Sequence, residues 1–399
     1  MIKRIAHKAL QKEKDHILST SFKSVDRFPS TTQLAFYNKF KREGINDEEK
    51  QYKMAQKAHD EPDEKAENRD RYFAILLMDG DHMGKLVNGE TLASTWKSVM
   101  HPEISARLEQ PEFDEKYKAA WNNIFTNHPK RLLTPSIHSA ISESLGDFSI
   151  YGVDRIIKKN EGRLIYAGGD DVCAVLPVDT ALNAAEEIQK YYNSFFKIIR
   201  AGKIEDIRDK WNVESGKMSV CLGEEDDISI SAGILICHHK ESLSQMIEDA
   251  HHLLNDKAKE KTKRNACAIE LRKRSGGSRY FAKQWKENDA WASFHRIGEL
   301  ISNKNKRKIS TSLVYRLEQF RTGIEAILKK DDYKNLLTNF IKKQLDRSML
   351  AARKNSKEEL KEFAKRIVDI VVVKKQDNER AFEPEGLIVA GFIADKGGE

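Results

Sequence analysis

Apolar residues along this chain fall into runs of two kinds. Tyr72 to Met78 (YFAILLM) is a continuous apolar run of strand length, which suits a strand covered on both faces. Arg163 to Ala167, Val172 to Leu176, Ile228 to Cys237 and Ala266 to Leu271 predict four more strands. Between them the apolar spacing widens to three and four, the period of a helix. Residues 91–160 read mainly as helix, with Ile137, Ile141, Leu145, Phe148 and Ile156 near one face and Glu161-Gly162 as the stop. Asp179 is placed to cap a helix carrying Leu182, Ala185, Ile188, Tyr192, Phe195 and Ile199 on one side. Ser242 to Lys259 predicts another helix, and a polar insert runs to about Asp227.

The resulting order is strand, helices, β-hairpin, helix, strand, helix, strand. It predicts an α+β domain with helices packed on a largely antiparallel sheet. Residues 1–71 precede it, and Lys41 to Arg71 is charged enough to read as a solvated helix or loop. The RSGGSRYFAKQW stretch reads as a linker or sheet edge. Beyond Trp285 strand signals nearly vanish, and Ser356 with Glu359 predicts a capping box opening a helix with Leu360, Phe363, Ile367 and Val371 inward. A last helix is expected near Glu385 to Ile393. The expected domains are therefore 1–71, 72–285 and an all-α 286–399.

Composition narrows the class. The 399 residues are 39% hydrophobic, enough for a sizeable core, and 33% charged. No apolar run reaches membrane-span length and the start lacks the apolar core of a signal peptide, so a cytoplasmic protein is expected. The net charge of +7 is compatible with nucleic-acid or phosphate partners without demanding either. Cys173, Cys221, Cys237 and Cys267 form no CxxC pair and read as buried thiols.

Two acidic clusters carry the candidate chemistry. Asp79-Gly80-Asp81 follows the first strand directly, and Asp170-Asp171 lie in a Gly-Gly-Asp-Asp hairpin tip. Carboxylates crowded at the ends of buried strands need a cation to neutralise them. If the two strands are neighbours, Asp79 and the tip aspartates form a hard oxygen site for Mg²⁺ or Mn²⁺. Two such ions suit in-line displacement at phosphorus. Adjacent strand residues point to opposite faces, so Asp170 and Asp171 need not share a role. Asp79 and Asp170 are favoured as ligands. Asp171 is a second ligand or the group that positions an attacking 3′-hydroxyl.

DRFPST at 26–31, LLMDGDHMGK at 76–85, HSAISESL at 138–145, RLIYAGGDDVCAVLP at 163–177, ISAGI at 230–234 and KRSGG at 273–277 carry a resemblance that spans nearly the whole chain. The arrangement resembles the palm shared by nucleic-acid polymerases and GGDEF nucleotide cyclases. More closely, it is similar to the large polymerase-like subunit of type III-B CRISPR complexes, the Cmr type. The resemblance implies a ferredoxin-like palm that converts ATP to cyclic oligoadenylates when the guide RNA captures a target. It implies two divalent ions, with Asp79, Asp170 and Asp171 catalytic. Gly80 lends a backbone carbonyl to a metal, and Gly168 and Gly169 make room for nucleotide. Partners implied are other Cmr-type subunits, guide RNA and target RNA. Family members usually carry an HD nuclease, a first palm and a zinc module ahead of this region. The chain therefore looks like the C-terminal half of such a subunit, with a separate chain possible for the rest. His59-Asp60 lies in a polar stretch and is not expected to be a nuclease site.

Lesser features have plainer readings beside the functional ones. Lys85 is a phosphate contact near a helix start, or a solvated lysine. Lys259, in the basic run Lys257 to Arg264, is a triphosphate contact by analogy with GGDEF cyclases, or part of a solvated helix end. Arg27 binds nucleotide or ties the DRFPST turn to the palm. The 303–307 run KNKRK is a solvated loop or an RNA contact. His238-His239 and His251-His252 read as packing or surface residues, since adjacent side chains point apart. Two other functions stay open: a catalytically inactive scaffold, and a diguanylate-type cyclase using GTP. The Asp-Asp-Val tip argues against the latter.

Overall fold

A computed structural model of the chain describes residues 30–60, 68–91, 96, 100, 102–110, 112, 114–130, 132–194, 199–200, 203–204, 228–274, 276–302, 309–310, 312–348, 356–374 and 379–397. Its centre is a six-stranded sheet of β1 (Tyr72–Gly80), β2 (Arg163–Gly168), β3 (Asp171–Leu176), β6 (Ile230–His238), β7 (Ala266–Arg272) and β8 (Ser278–Gln284). A short hairpin of β4 (Ile199–Arg200) and β5 (Lys203–Ile204) stands apart. The sheet order is β2-β3-β1-β6-β7-β8. Every pairing is antiparallel except β6 with β7.

The two apolar central strands explain the layering. Along β1, Ala74, Leu76 and Met78 enter one core cluster, while Phe73, Ile75 and Leu77 enter the other. On β6, Ile230, Ala232, Ile234 and Ile236 face the first cluster, and Leu235 and Cys237 the second. A period of two with both phases apolar requires cover on both faces.

On the N-terminal side, α1 (Thr31–Ala35), α2 (Tyr37–Arg42) and α3 (Glu48–Asp60) supply Leu34, Ala35, Phe40 and Ala55 to the second cluster. Ser30 caps α1 by accepting from the Gln33 N–H. After β1 come α4 (Met83–Val87), α5 (Pro102–Glu109), α6 (Glu115–Asn127) and α7 (Pro135–Asp147). A wide π turn, Phe148–Val153, joins α7 to α8 (Asp154–Lys159). Ile137, Ile141 and Phe148 are buried, and Leu145 and Ile156 pack partly buried against them. Glu161 adopts φ of 60° and ends the helical stretch.

After β3, α9 (Val178–Ser194) covers the first cluster. It starts one residue before the expected cap. Asp179 lies in the first turn and accepts from Asn38 Nδ2 at 2.9 Å, tying α2 to α9. On the opposite face, α10 (Leu243–His252) runs into a second π stretch, Leu253–Lys261, which packs on β6 and β7.

The RYFAKQ stretch is the edge strand β8, so the edge reading applies. Past it the chain is helical: α11 (Asn288–Ser302), α12 (Ser312–Gln319), α13 (Arg321–Leu328), α14 (Tyr333–Ser348), α15 (Lys357–Val371) and α16 (Glu385–Gly397). The Ser356–Glu359 capping box is present, and Leu360, Phe363, Ile367 and Val371 are buried. A three-residue hairpin of β9 (Val372–Lys374) and β10 (Arg380–Phe382) interrupts the helices. These helices share the first core cluster with α9 and one face of the sheet. No helix among the described residues is long and apolar enough to cross a membrane.

Candidate active site

The two acidic clusters meet because β1 and β3 are neighbours, with Met78 opposite Val172. Asp79 stands on the same face of β1 as Phe73, Ile75 and Leu77. Asp171 opens β3 opposite Gly168, in phase with Cys173 and Val175, which face that same side. Asp170 lies in the turn, not in a strand, so strand alternation does not separate it from Asp171. Carboxylate oxygens of Asp79, Asp170 and Asp171 all lie within 4.8 Å of one another. Asp79 and Asp170 are half-buried and Asp171 is exposed.

Two glycines make this approach possible. Gly169 turns the hairpin with φ of 65°, which suits a residue without Cβ. At Gly80 a Cβ would stand 2.7 Å from Asp170 Oδ2 and 2.8 Å from Asp170 Cβ. Gly168 is pressed by the Tyr166 hydroxyl, so its free space is already taken by a side chain of the same hairpin.

Lys259 reaches the triad from the π stretch across the sheet face. Its ammonium contacts the Asp79 carboxylate and approaches the Gly80 carbonyl at 3.3 Å. Burial, with the Arg264 charge second, pulls Lys259 down to about 8. Direct contact with Asp79 favours the charged form, so Lys259 is an ammonium at neutral pH. Burial raises the Asp170 carboxyl, the Asp171 charge adds to this, and hydrogen bonds from its own and the Gly80 backbone oppose it. Three carboxylates against one ammonium leave this site short of about two positive charges.

Asp81 belongs elsewhere. It is buried, accepting from Ser229 Oγ at 2.7 Å, Ser231 Oγ at 2.8 Å and the Asn265 N–H at 2.9 Å. The DGD triplet thus holds one carboxylate for the site and one that fastens β1 to β6 and to the start of β7. Alternation would put Asp79 and Asp81 on one face; β1 ends at Gly80 between them, so Asp81 escapes the strand's phase, and nothing in the sequence pattern names its partners. The Asn265 contact comes from a run of three residues, Lys263, Arg264 and Asn265, with φ of 64°, 62° and 46°. Tyr192 on α9 lies fully buried behind the turn and donates to the Met83 sulfur at 3.6 Å. Burial raises its hydroxyl pKa, with smaller contributions from the charges of Asp170 and Asp81.

Other expected residues are not gathered here. Lys85 is exposed on α4, with no described contact to the triad. Asp26, Arg27, Cys221 and the 303–307 run lie outside the described residues. Cys237 and Cys267 are buried thiols and Cys173 is half-buried. His238 and His239 do not point apart: β6 ends at His238, alternation lapses, and the two rings stack at 4.6 Å. Both are buried, His238 against Tyr72 and His239 beside Thr32 Oγ1 at 2.9 Å.

A central, largely antiparallel sheet with an acidic hairpin tip beside an acidic strand end is the arrangement of a palm-type domain. Residues 72–268 match the family model described as Cas10/Cmr2, second palm domain. The CRISPR system Cmr subunit Cmr2 of Pyrococcus furiosus is 41% identical over 209 residues, which are 52% of this chain and 19% of that protein. The Cmr2 subunit of Saccharolobus solfataricus is 27% identical over 128 residues, 31% of this chain and 11% of that one. A solved type III-B Cmr-beta assembly in its apo state contains a chain of the same fold. Its TM-score is 0.56 at 16% identity, covering 93% of this chain and 47% of that one. The chain is thus similar to the Cmr2 subunit of type III-B systems, with the similarity to the second palm falling on 72–268. It spans less than half the length of each of these three relatives.

Proposed function

We propose that this palm transfers adenylyl groups from ATP in 3′–5′ linkage, as the cyclic oligoadenylate synthase of a target-RNA-triggered type III-B complex. The supporting observation is the convergence of Asp79, Asp170, Asp171 and Lys259 at one end of the sheet. The donor set fits a divalent cation: hard carboxylate oxygens, close together, with net negative charge and a half-buried Asp170. Asp79, Asp170 and Asp171, with the Gly80 carbonyl, would hold Mg²⁺ or Mn²⁺, two ions in the working site. Bound there, such ions supply charge neutralisation at the α-phosphate and the leaving pyrophosphate.

The chain's own groups do the remaining work. Lys259 presents an ammonium to the triphosphate once Asp79 is otherwise engaged. Exposed Asp171 is placed to orient the attacking 3′-hydroxyl. Gly169 at the tip leaves the approach to the carboxylates unobstructed by a side chain. Lys85 stands outside this set as a candidate phosphate contact on the rim. The proposed setting is a cytoplasmic ribonucleoprotein with other Cmr-type subunits, guide RNA and target RNA. A separate chain would supply a facing palm, and 286–399 would serve as the helical domain that docks neighbours.

The test follows labelled ATP with Mg²⁺ or Mn²⁺, first with the chain alone and then with partner subunits, guide RNA and matching target RNA. Cyclic oligoadenylates are expected in the assembled complex and not in its Asp170→Ala/Asp171→Ala form. An assembled, target-bound complex that makes none would leave the chain as a scaffold. Cyclic diguanylate from GTP would move it to the other cyclase class.

A further inference from the structure

A pocket lies between α9, the start of β7 and α11, with a volume of about 530 Å³. That volume is in the range of small-molecule sites. It is lined by Trp285 and Trp291, whose rings lie 5.5 Å apart and are tilted by 30°. Each indole N–H is already bonded, Trp285 to the Ile230 carbonyl and Trp291 to the Gln284 carbonyl, both at 3.0 Å. The two rings are therefore fixed walls.

Two carboxamides line the same pocket. Gln189 on α9 is only 5% exposed and presents its side chain to the pocket lining. Asn265 Oδ1 is buried without a partner. The Asn265 backbone is pinned on both sides, its N–H to Asp81 and its carbonyl to the Trp285 N–H at 2.7 Å. A buried amide oxygen without a donor, as at Asn265 Oδ1, is costly unless something supplies one. Lys190 at the rim has no ion pair among the described residues, while Glu186 is engaged by His295 Nε2 at 3.2 Å.

We propose that this pocket binds an adenine mononucleotide, at a site separate from the carboxylate triad. A carboxamide matches adenine in two places at once, accepting from the N6 amine and donating to N7. Indole walls suit a flat heterocycle, and Lys190 suits its phosphate. Asn265, which lines the pocket, also holds Asp81 through its N–H, so an occupant braces the segment that anchors the end of β1. The proposal rests on the pocket alone and not on the adenylyl-transfer reading.

The experiment uses the full chain carrying Asp79→Asn/Asp170→Asn, in buffer without divalent ions, so that the triad contributes no nucleotide binding. Tryptophan emission is titrated with AMP and with IMP, which replaces the 6-amine by a carbonyl. AMP should give a saturable change, with IMP and the Gln189→Leu variant each about tenfold weaker, the loss of about one buried hydrogen bond. Lys190→Glu, a surface change that spares the fold, should weaken AMP but not adenosine. No saturable change with AMP, equal response to IMP, or AMP binding untouched by both Gln189→Leu and Lys190→Glu would overturn the proposal and leave a water-filled cavity. Because the triad is disabled throughout, failure here says nothing against the adenylyl-transfer reading, and failure of that reading leaves this result standing.

Discussion

At the residue scale, Gly80 is the tightest point of the candidate site. An added methyl there would stand 2.7 Å from Asp170 Oδ2, and the obstacle includes the Asp170 Cβ at 2.8 Å, which cannot swing away as a side-chain tip can. Gly80→Ala should therefore displace the Asp170 carboxylate and cost about 1–3 kcal/mol of stability by overpacking. Urea unfolding measures the second effect. Manganese titration followed by electron paramagnetic resonance measures the first, and affinity should fall more than about tenfold, because one of three carboxylates leaves the set. Unchanged manganese affinity would remove Asp170 from the ligand set.

At the element scale, the π stretch that carries Lys259 hangs on how α10 is fastened to the sheet. Asp249 on α10 is bonded to Arg272 on β7. Burial pushes the Asp249 carboxyl up, but hydrogen bonds from Arg272 and Gln245 and the Arg272 charge together outweigh it, and the net direction is down. A carboxyl held below its unfolded value adds stability above that value and loses it as pH falls through the folded one. Asp249→Asn should thus lower stability at pH 7 by about 0.5–1 kcal/mol, a modest figure because both partners are partly exposed. Denaturant midpoints of variant and parent should converge as the pH drops below the ordinary aspartate range. A gap that stays constant with pH would show that packing, not charge, fastens α10.

At the scale of the whole molecule, the sheet and the C-terminal helices share one core. Phe281 of β8 stacks on Phe294 of α11 at 4.5 Å, and α16 lies against α11, β8 and α9. A chain ended after residue 285 would bare this face, so it should be poorly soluble and bind a hydrophobic dye, while the full chain does not. A soluble truncated palm with a cooperative melt would show that the two parts fold separately. Metal acts at the same scale. On the proposed reading the folded carboxylate set, and not the unfolded chain, takes magnesium or manganese, so millimolar ion should raise the melting temperature, reversibly with chelator. Asp79→Asn/Asp170→Asn should abolish that rise.

The sequence by itself determined the elements whose signals are local. A seven-residue run with both strand phases apolar, YFAILLM, suits a strand covered on both faces, and β1 is one. Ser356 and Glu359 satisfy each other within one turn, so the capping box needs no distant partner. The acidic strand end and the GGDD tip were legible as candidate chemistry for the same reason: side-chain type and position relative to a strand are local facts. Their meeting was not. It depends on β1 pairing with β3 across almost a hundred residues, a choice made by burial of both strands together. Likewise Asp81 is separated from Asp79 by partners on β6 and at the start of β7, and Lys259 is delivered by a π stretch whose wider turn leaves no mark in the apolar spacing. His238 and His239 stack because the strand ends between them, an ending set by contacts and not by composition. Tertiary structure decided each of these, because long-range pairings form only where the gain in burial exceeds the entropy of closing the loop between them.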